Sequence, residues 1–203
     1  MRVGESAELS RASISVATGP VEVRVMPPYI SRVSSEAIVR ISITKGQKDD
    51  RIEIRRDDGS EAVTHFPKKG PIPHDFVHYA VEHGLGLRDG FLGKVAAGHH
   101  PEAIVELAKR GGHASASRAQ QPVPDIVEMI QAERLVECFE ADMWGGGGDN
   151  ESLRSMAEIG WEQSLVSPLD LGDDAIDTIR RTIRDFAERW SAMPVGERVE
   201  LAW

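Results

Sequence analysis

The sequence predicts an α+β protein: an N-terminal antiparallel β-meander of three to four strands, packed against a helical C-terminal part and rejoined by a C-terminal strand. Three observations predict it. Apolar residues alternate with polar ones in Val21–Val25, Val39–Ile43 and Ile52–Ile54, the period of a half-buried strand. Ile176, Ile179, Ile183, Phe186 and Trp190 recur at three and four residues, the stripe of an amphipathic helix. Val199, Leu201 and Trp203 then alternate again, so a last strand can return to the first sheet.

The elements follow in order. Residues 1–18 are rich in Ser and Ala, lack periodicity, and are expected to be partly ordered. One α+β domain is expected over 19–203: β-rich at 19–66, helical at 73–190, with a final strand at 198–203. Lys45–Asp50 reads as a polar turn. Asp57-Asp58-Gly59-Ser60 is a hairpin signal, so Glu61–Phe66 returns as a strand. Pro67, Gly70, Pro71 and Pro73 end the sheet, and Pro73 suits the first position of a helix that fades at Gly84 or Gly86. Residues 88–98 read as a short helix or loop, and Pro101–Arg110 as a short helix ending at Gly111-Gly112. A linker of small residues spans Gly112–Pro124. Asp125 can cap a helix to about Trp144, Gly145–Gly148 reads as a flexible linker, and a helix over about Glu151–Gln163 precedes the last one.

Composition narrows the function. The formal charge of −9 argues against unspecific binding to nucleic acid or to anionic membrane, which needs a basic surface. No stretch approaches the roughly 20 apolar residues of a membrane-spanning helix. Cys138 is the single cysteine, so no intrachain disulfide forms, and a reducing, cytoplasmic setting is expected. Cys138 reads as a buried, inert thiol, and Arg180, Arg181, Arg184 and Arg189 as a salt-bridged surface.

The densest chemistry lies in Pro73-His74-Asp75-Phe76-Val77-His78-Tyr79-Ala80-Val81-Glu82-His83. His74, His78 and Glu82 are four residues apart and share one helix face. His74-Asp75-x-x-His78 is one methylene short of the H-E-x-x-H pattern of zinc hydrolases. His74 and His78 are candidate metal ligands for one divalent zinc, iron or manganese ion. Asp75 is the candidate catalytic base, and Glu82 can bond His78 behind the metal. A third ligand must come from another helix. Glu133 or Glu137, in a carboxylate stripe with Glu140, is the better source, and His99, His100 and His113 are others. Asp75 near Lys68 and Lys69 also allows a metal-free acid–base site with His74.

The run Phe66–Glu82, continuing through Gly86-Leu87-Arg88-Asp89-Gly90-Phe91, resembles a group of uncharacterised bacterial proteins. They share a Pro-His-Asp-x-x-His-aromatic-x-Val-Glu segment followed by a Gly-Phe element. The resemblance covers about thirty residues and implies a bacterial cytoplasmic protein, with no known activity to transfer.

A structural role accounts for the same residues. An acidic Asp75 is favoured in a first helical turn, and His78 can be buried against Tyr79 and bonded to Glu82. His99-His100 before Pro101 reads as a loop and helix cap. With no complete catalytic set, the first expectation is a non-catalytic binding or interaction module that meets a protein partner or a second copy of itself. The alternative is a metal-dependent hydrolase on the helix after Pro73, and it requires that helix to pack face to face against the one after Asp125.

Overall fold

The computed structural model describes residues 39–68, 70–110 and 122–203. The expectations for residues 1–18, for a strand at Val21–Val25, for Lys69 and His113 and for most of the linker before Pro124 lie outside these residues.

Among the described residues four antiparallel strands form one sheet in the order β3-β2-β1-β4. They are β1 (Arg40–Thr44), β2 (Asp49–Arg55), β3 (Glu61–Pro67) and β4 (Arg198–Ala202). Period-two alternation fixes the register, because a slip of one residue would turn every side chain to the wrong face. Ile41 lies opposite Ile54 and Leu201, and Ile43 opposite Ile52 and Val199. These six residues are buried, whereas Arg40, Arg51, Arg55 and Glu61 stand on the exposed face. The C-terminal strand thus rejoins the meander at β1. Val39 and Trp203 seal that pairing, each donating its amide to the other's carbonyl at 3.0 and 2.8 Å.

Strand β2 begins at Asp49, inside the stretch expected to be turn. Asp50 faces inward, and its carboxylate accepts the Gly46 amide at 2.9 Å, so a polar residue occupies a core-side strand position at little cost. The β2–β3 turn follows its sequence signal: Gly59 adopts φ 82°, and Asp58 accepts the Ser60 amide at 2.8 Å.

Among the described residues six α-helices follow: α1 (His74–Leu85), α2 (Phe91–Ala96), α3 (Pro101–Arg110), α4 (Val127–Trp144), α5 (Asn150–Gln163) and α6 (Asp173–Ala192). Helix α1 packs against both α4 and α6, and its residues Asp75–Glu82 are all buried. Phe76 stacks on Phe186 of α6 at 3.5 Å between ring centroids. Gly86 ends α1 in the left-handed region (φ 66°), where glycine carries no steric penalty.

Three local expectations are corrected. Pro73 caps α1 from one position before its first turn, its carbonyl accepting the Phe76 amide at 3.0 Å. Asp125 does not cap α4, because Pro124–Ile126 forms a 3-10 turn that leads into the helix. The four glycines are a bonded turn: Gly146 and Gly147 take φ near 85°, and Asp142 accepts the Gly148 amide at 2.8 Å. Asp149 then caps α5 by accepting the Ser152 amide at 2.7 Å. Arg180, expected in a salt-bridged surface, forms a fork onto both oxygens of Asp142 at 2.8 and 3.0 Å that ties α6 to α4. Among the described residues no helix is long and apolar enough to cross a membrane.

Candidate metal centre

Helix spacing brings the chemistry together. His74 and His78 lie one turn apart on α1, and their rings meet edge to face at 4.8 Å. Helix α4 packs across them and carries Glu133 into the gap. Glu133 Oε2 lies 3.1 Å from His78 Nε2, and Oε1 lies 3.9 Å from His74 Nε2. One donor atom from each of His74, His78 and Glu133 lies within 4.8 Å of the others. Donors around a tetrahedral zinc ion sit about 3.4 Å apart, given Zn–N bonds of about 2.0–2.1 Å. The two Glu133 separations run to different oxygens, and the set of one donor atom from each residue, within 4.8 Å, is looser than that spacing.

The other nitrogen of each ring is held separately. His74 Nδ1 lies 2.9 Å from Glu140 Oε1, and His78 Nδ1 lies 2.9 Å from Glu82 Oε1. Glu82 has no exposed surface, and it also accepts the backbone amides of Phe91 (3.1 Å) and Leu92 (2.9 Å) at the start of α2. Its oxygens are therefore acceptors, and the His78 Nδ1 carries the hydrogen. Glu140 sets His74 in the same sense. Both Nε2 atoms are then on the side of the Glu133 carboxylate, His78 within hydrogen-bond reach and His74 farther off. A proton or a cation between His78 Nε2 and that carboxylate reconciles the two acceptors.

Electrostatics follow from this crowding. Burial alone would lower the His78 pKa, but hydrogen bonds to Glu133 and Glu82, with their charges, push it up to about 10. Asp75 is 8% exposed, and burial raises its carboxyl above the usual range despite the nearby His78 and His74, while Glu133 adds to the rise. No other side chain among the described residues bonds it. Asp75, His74, His78 and Glu133 border one cavity of about 330 Å³.

The sequence candidates are distributed as follows. His74, His78 and Glu133 converge, Glu82 stands behind His78, and Asp75 borders the same space. Glu137 instead bonds Arg134 at 2.6 Å and is not among the converging donors. His100 accepts the Glu102 amide at 3.3 Å, as a helix cap does, and neither it nor His99 joins the cluster. Lys68 borders the cavity but is engaged by the Gly46 carbonyl (2.7 Å) and by Asp50 (3.5 Å). Cys138 is buried, as expected.

Sequence reasoning missed two roles. Glu140 was read only as part of a stripe, yet it lies seven residues after Glu133, two turns along the same face, and reaches the second histidine. The amides of Phe91 and Leu92 were also missed, since backbone donors leave no trace in side-chain patterns. No protein family, curated protein or solved structure matches the chain, so the centre stands on its own geometry.

Proposed function

We propose that the protein is a metal-dependent hydrolase, with one divalent ion held by His74, His78 and Glu133. One observation carries this reading: the three donors converge while each histidine is fixed from behind by its own carboxylate, the arrangement that sets tautomer and orientation in metal sites. Zinc, iron and manganese all suit such donors. Three protein donors beside a cavity leave a coordination position open, as catalytic rather than structural zinc sites do. A bound ion would supply Lewis acidity toward a carbonyl group. Asp75 is the group at hand to take a proton. Water adds to the carbonyl carbon and gives its proton to Asp75. The carbon–oxygen or carbon–nitrogen bond then breaks, and Asp75 returns the proton to the leaving group. The lone cysteine and acidic charge favour a cytoplasmic setting.

The test is the metal content of protein purified without a histidine tag or chelator, beside the His78→Ala and Glu133→Gln variants. Near-stoichiometric zinc, iron or manganese that both variants lose supports the centre. A well-folded protein that stays metal-free in micromolar zinc overturns it.

A non-catalytic binding module is the second reading. His78 has both ring nitrogens bonded, at 2.9 and 3.1 Å, so a protonated ring closes the network without an ion. In that case His78→Ala lowers stability and no metal is found.

A further inference from the structure

Helix α5 carries apolar side chains on its outward face, inside an acidic frame. The helix packs against α4 and α6 and buries Leu153, Ala157 and Trp161. Met156 and Ile159, three residues apart and so neighbours on the outward face, are 39% and 54% exposed. Leu165, just past the helix end, is 50% exposed. Of the seven large apolar side chains exposed among the described residues, these three fall within ten residues, so the apolar surface is concentrated here rather than scattered. Leu165 also takes φ 56°, the left-handed position where a helix commonly ends on glycine. That turn brings Val166 back to the core, its amide donating to the Trp161 carbonyl at 3.1 Å. Glycine would serve the turn with less strain, and Leu165 leaves half its surface in solvent, so the fold itself has little use for the side chain.

Charge selects the occupant. Residues 149–177 carry eight carboxylates, all exposed, and one arginine, Arg154, which Asp173 engages; they leave a net −7 of the chain's −9. On α5 itself Glu151, Glu158 and Glu162 border the outward face along one side. A second copy laid face to face would set acid against acid. A partner with apolar anchors between cationic side chains meets both features.

We infer that this face docks a basic amphipathic segment of a partner protein. Its apolar side chains meet Met156, Ile159 and Leu165, and its Lys and Arg residues face the surrounding carboxylates. No described residue of α5 borders the cavity beside His74 and Glu133, so the inference rests on neither functional reading above.

The probe is a fluorescein-labelled helical peptide of about 15 residues, built from Lys, Ala and Leu with leucines at every third or fourth position. It is titrated into the full chain and followed by anisotropy. Two control peptides share its length, one with Glu for Lys and one with Ser for Leu. The Lys–Leu peptide is expected to bind one to one, at least tenfold tighter than either control. Met156→Ser combined with Ile159→Ser should weaken it at least tenfold with cooperative unfolding intact. Val63→Ser, at an exposed apolar position on the outer face of the sheet, should leave it unchanged. Leu165→Gly should weaken it while raising the urea midpoint, because the turn is relieved as the apolar contact is lost. Equal binding of the Ser-for-Leu peptide shows attraction by charge alone and overturns the inference. So does a Lys–Leu peptide that fails to bind, or one indifferent to the α5 substitutions. A lowered urea midpoint in Leu165→Gly shows that the fold needs this side chain and overturns its docking role. Sedimentation that finds the full chain dimeric, and Ile159→Ser monomeric, gives the face to a second copy and overturns the inference too.

Discussion

Glu82 Oε1 lies 2.9 Å from His78 Nδ1, one helical turn away, and the same carboxylate caps the start of α2. One buried side chain thus fixes the orientation of a site histidine and the position of a second helix. Glu82→Gln keeps the shape but points an NH₂ group at one of these donors. It should cost about 1–3 kcal/mol of stability and weaken zinc binding roughly 10- to 100-fold. Urea unfolding and zinc competition against a chromophoric chelator measure the two effects. A variant with unchanged zinc affinity would remove Glu82 from the site.

Gly90 makes room for that carboxylate. A Cβ at this position would lie 2.3 Å from Glu82 Oε2, and Glu82 is too tightly bonded to swing aside. Gly90→Ala should destabilise the fold by about 1–3 kcal/mol through overpacking. Combined with Glu82→Ala, its cost should shrink, because the clash is gone; a double-mutant cycle reads this coupling.

Acid sensitivity should trace in part to Asp142. Burial works to raise its carboxyl, but the Arg180 fork and the Gly148 amide hold it below the usual range. Its folded value is thus lower than its unfolded value, near 3.9. The stabilisation is fully present above the unfolded value and lost as pH falls through the folded one. Asp142→Asn should cost roughly 1–2 kcal/mol at neutral pH, since Arg180 is partly solvated. It should also flatten the decline of the urea midpoint as pH falls below about 4.

Cys138 should be slow toward thiol reagents. Burial, helped by the Glu137 charge and opposed by Arg134, pushes its thiol up to about 11. Reaction with a disulfide reagent at pH 8 should be at least about a hundredfold slower in the folded protein than in urea. A rate like that of the unfolded chain would mean the helix opens readily at this point.

The legible parts were those with a local period. Ile41, Ile43, Ile52 and Ile54 declared the sheet face, and Ile176 through Trp190 declared α6, because alternation and helical stripes arise within one element. His74 and His78 were visible for the same reason. What stayed hidden depends on contacts between elements. Asp50 looked like turn because its partner, the Gly46 amide, is backbone. The partner of Arg180 in its ion pair stayed hidden because Asp142 lies on another helix. Of Glu133 and Glu137, spacing alone could not choose, since the choice depends on how α4 rotates against α1.

The pairing of Val39 with Trp203 has a consequence for synthesis on the ribosome. Strand β1 finds β2 at once, but its other edge waits until every helix has been made and β4 follows. A nascent chain that pauses in the helical region offers the open backbone of Arg40–Thr44, with Ile41 and Ile43 uncovered, to any neighbouring chain. Helix α1 and the vulnerable edge are thus made well before the strand that protects that edge.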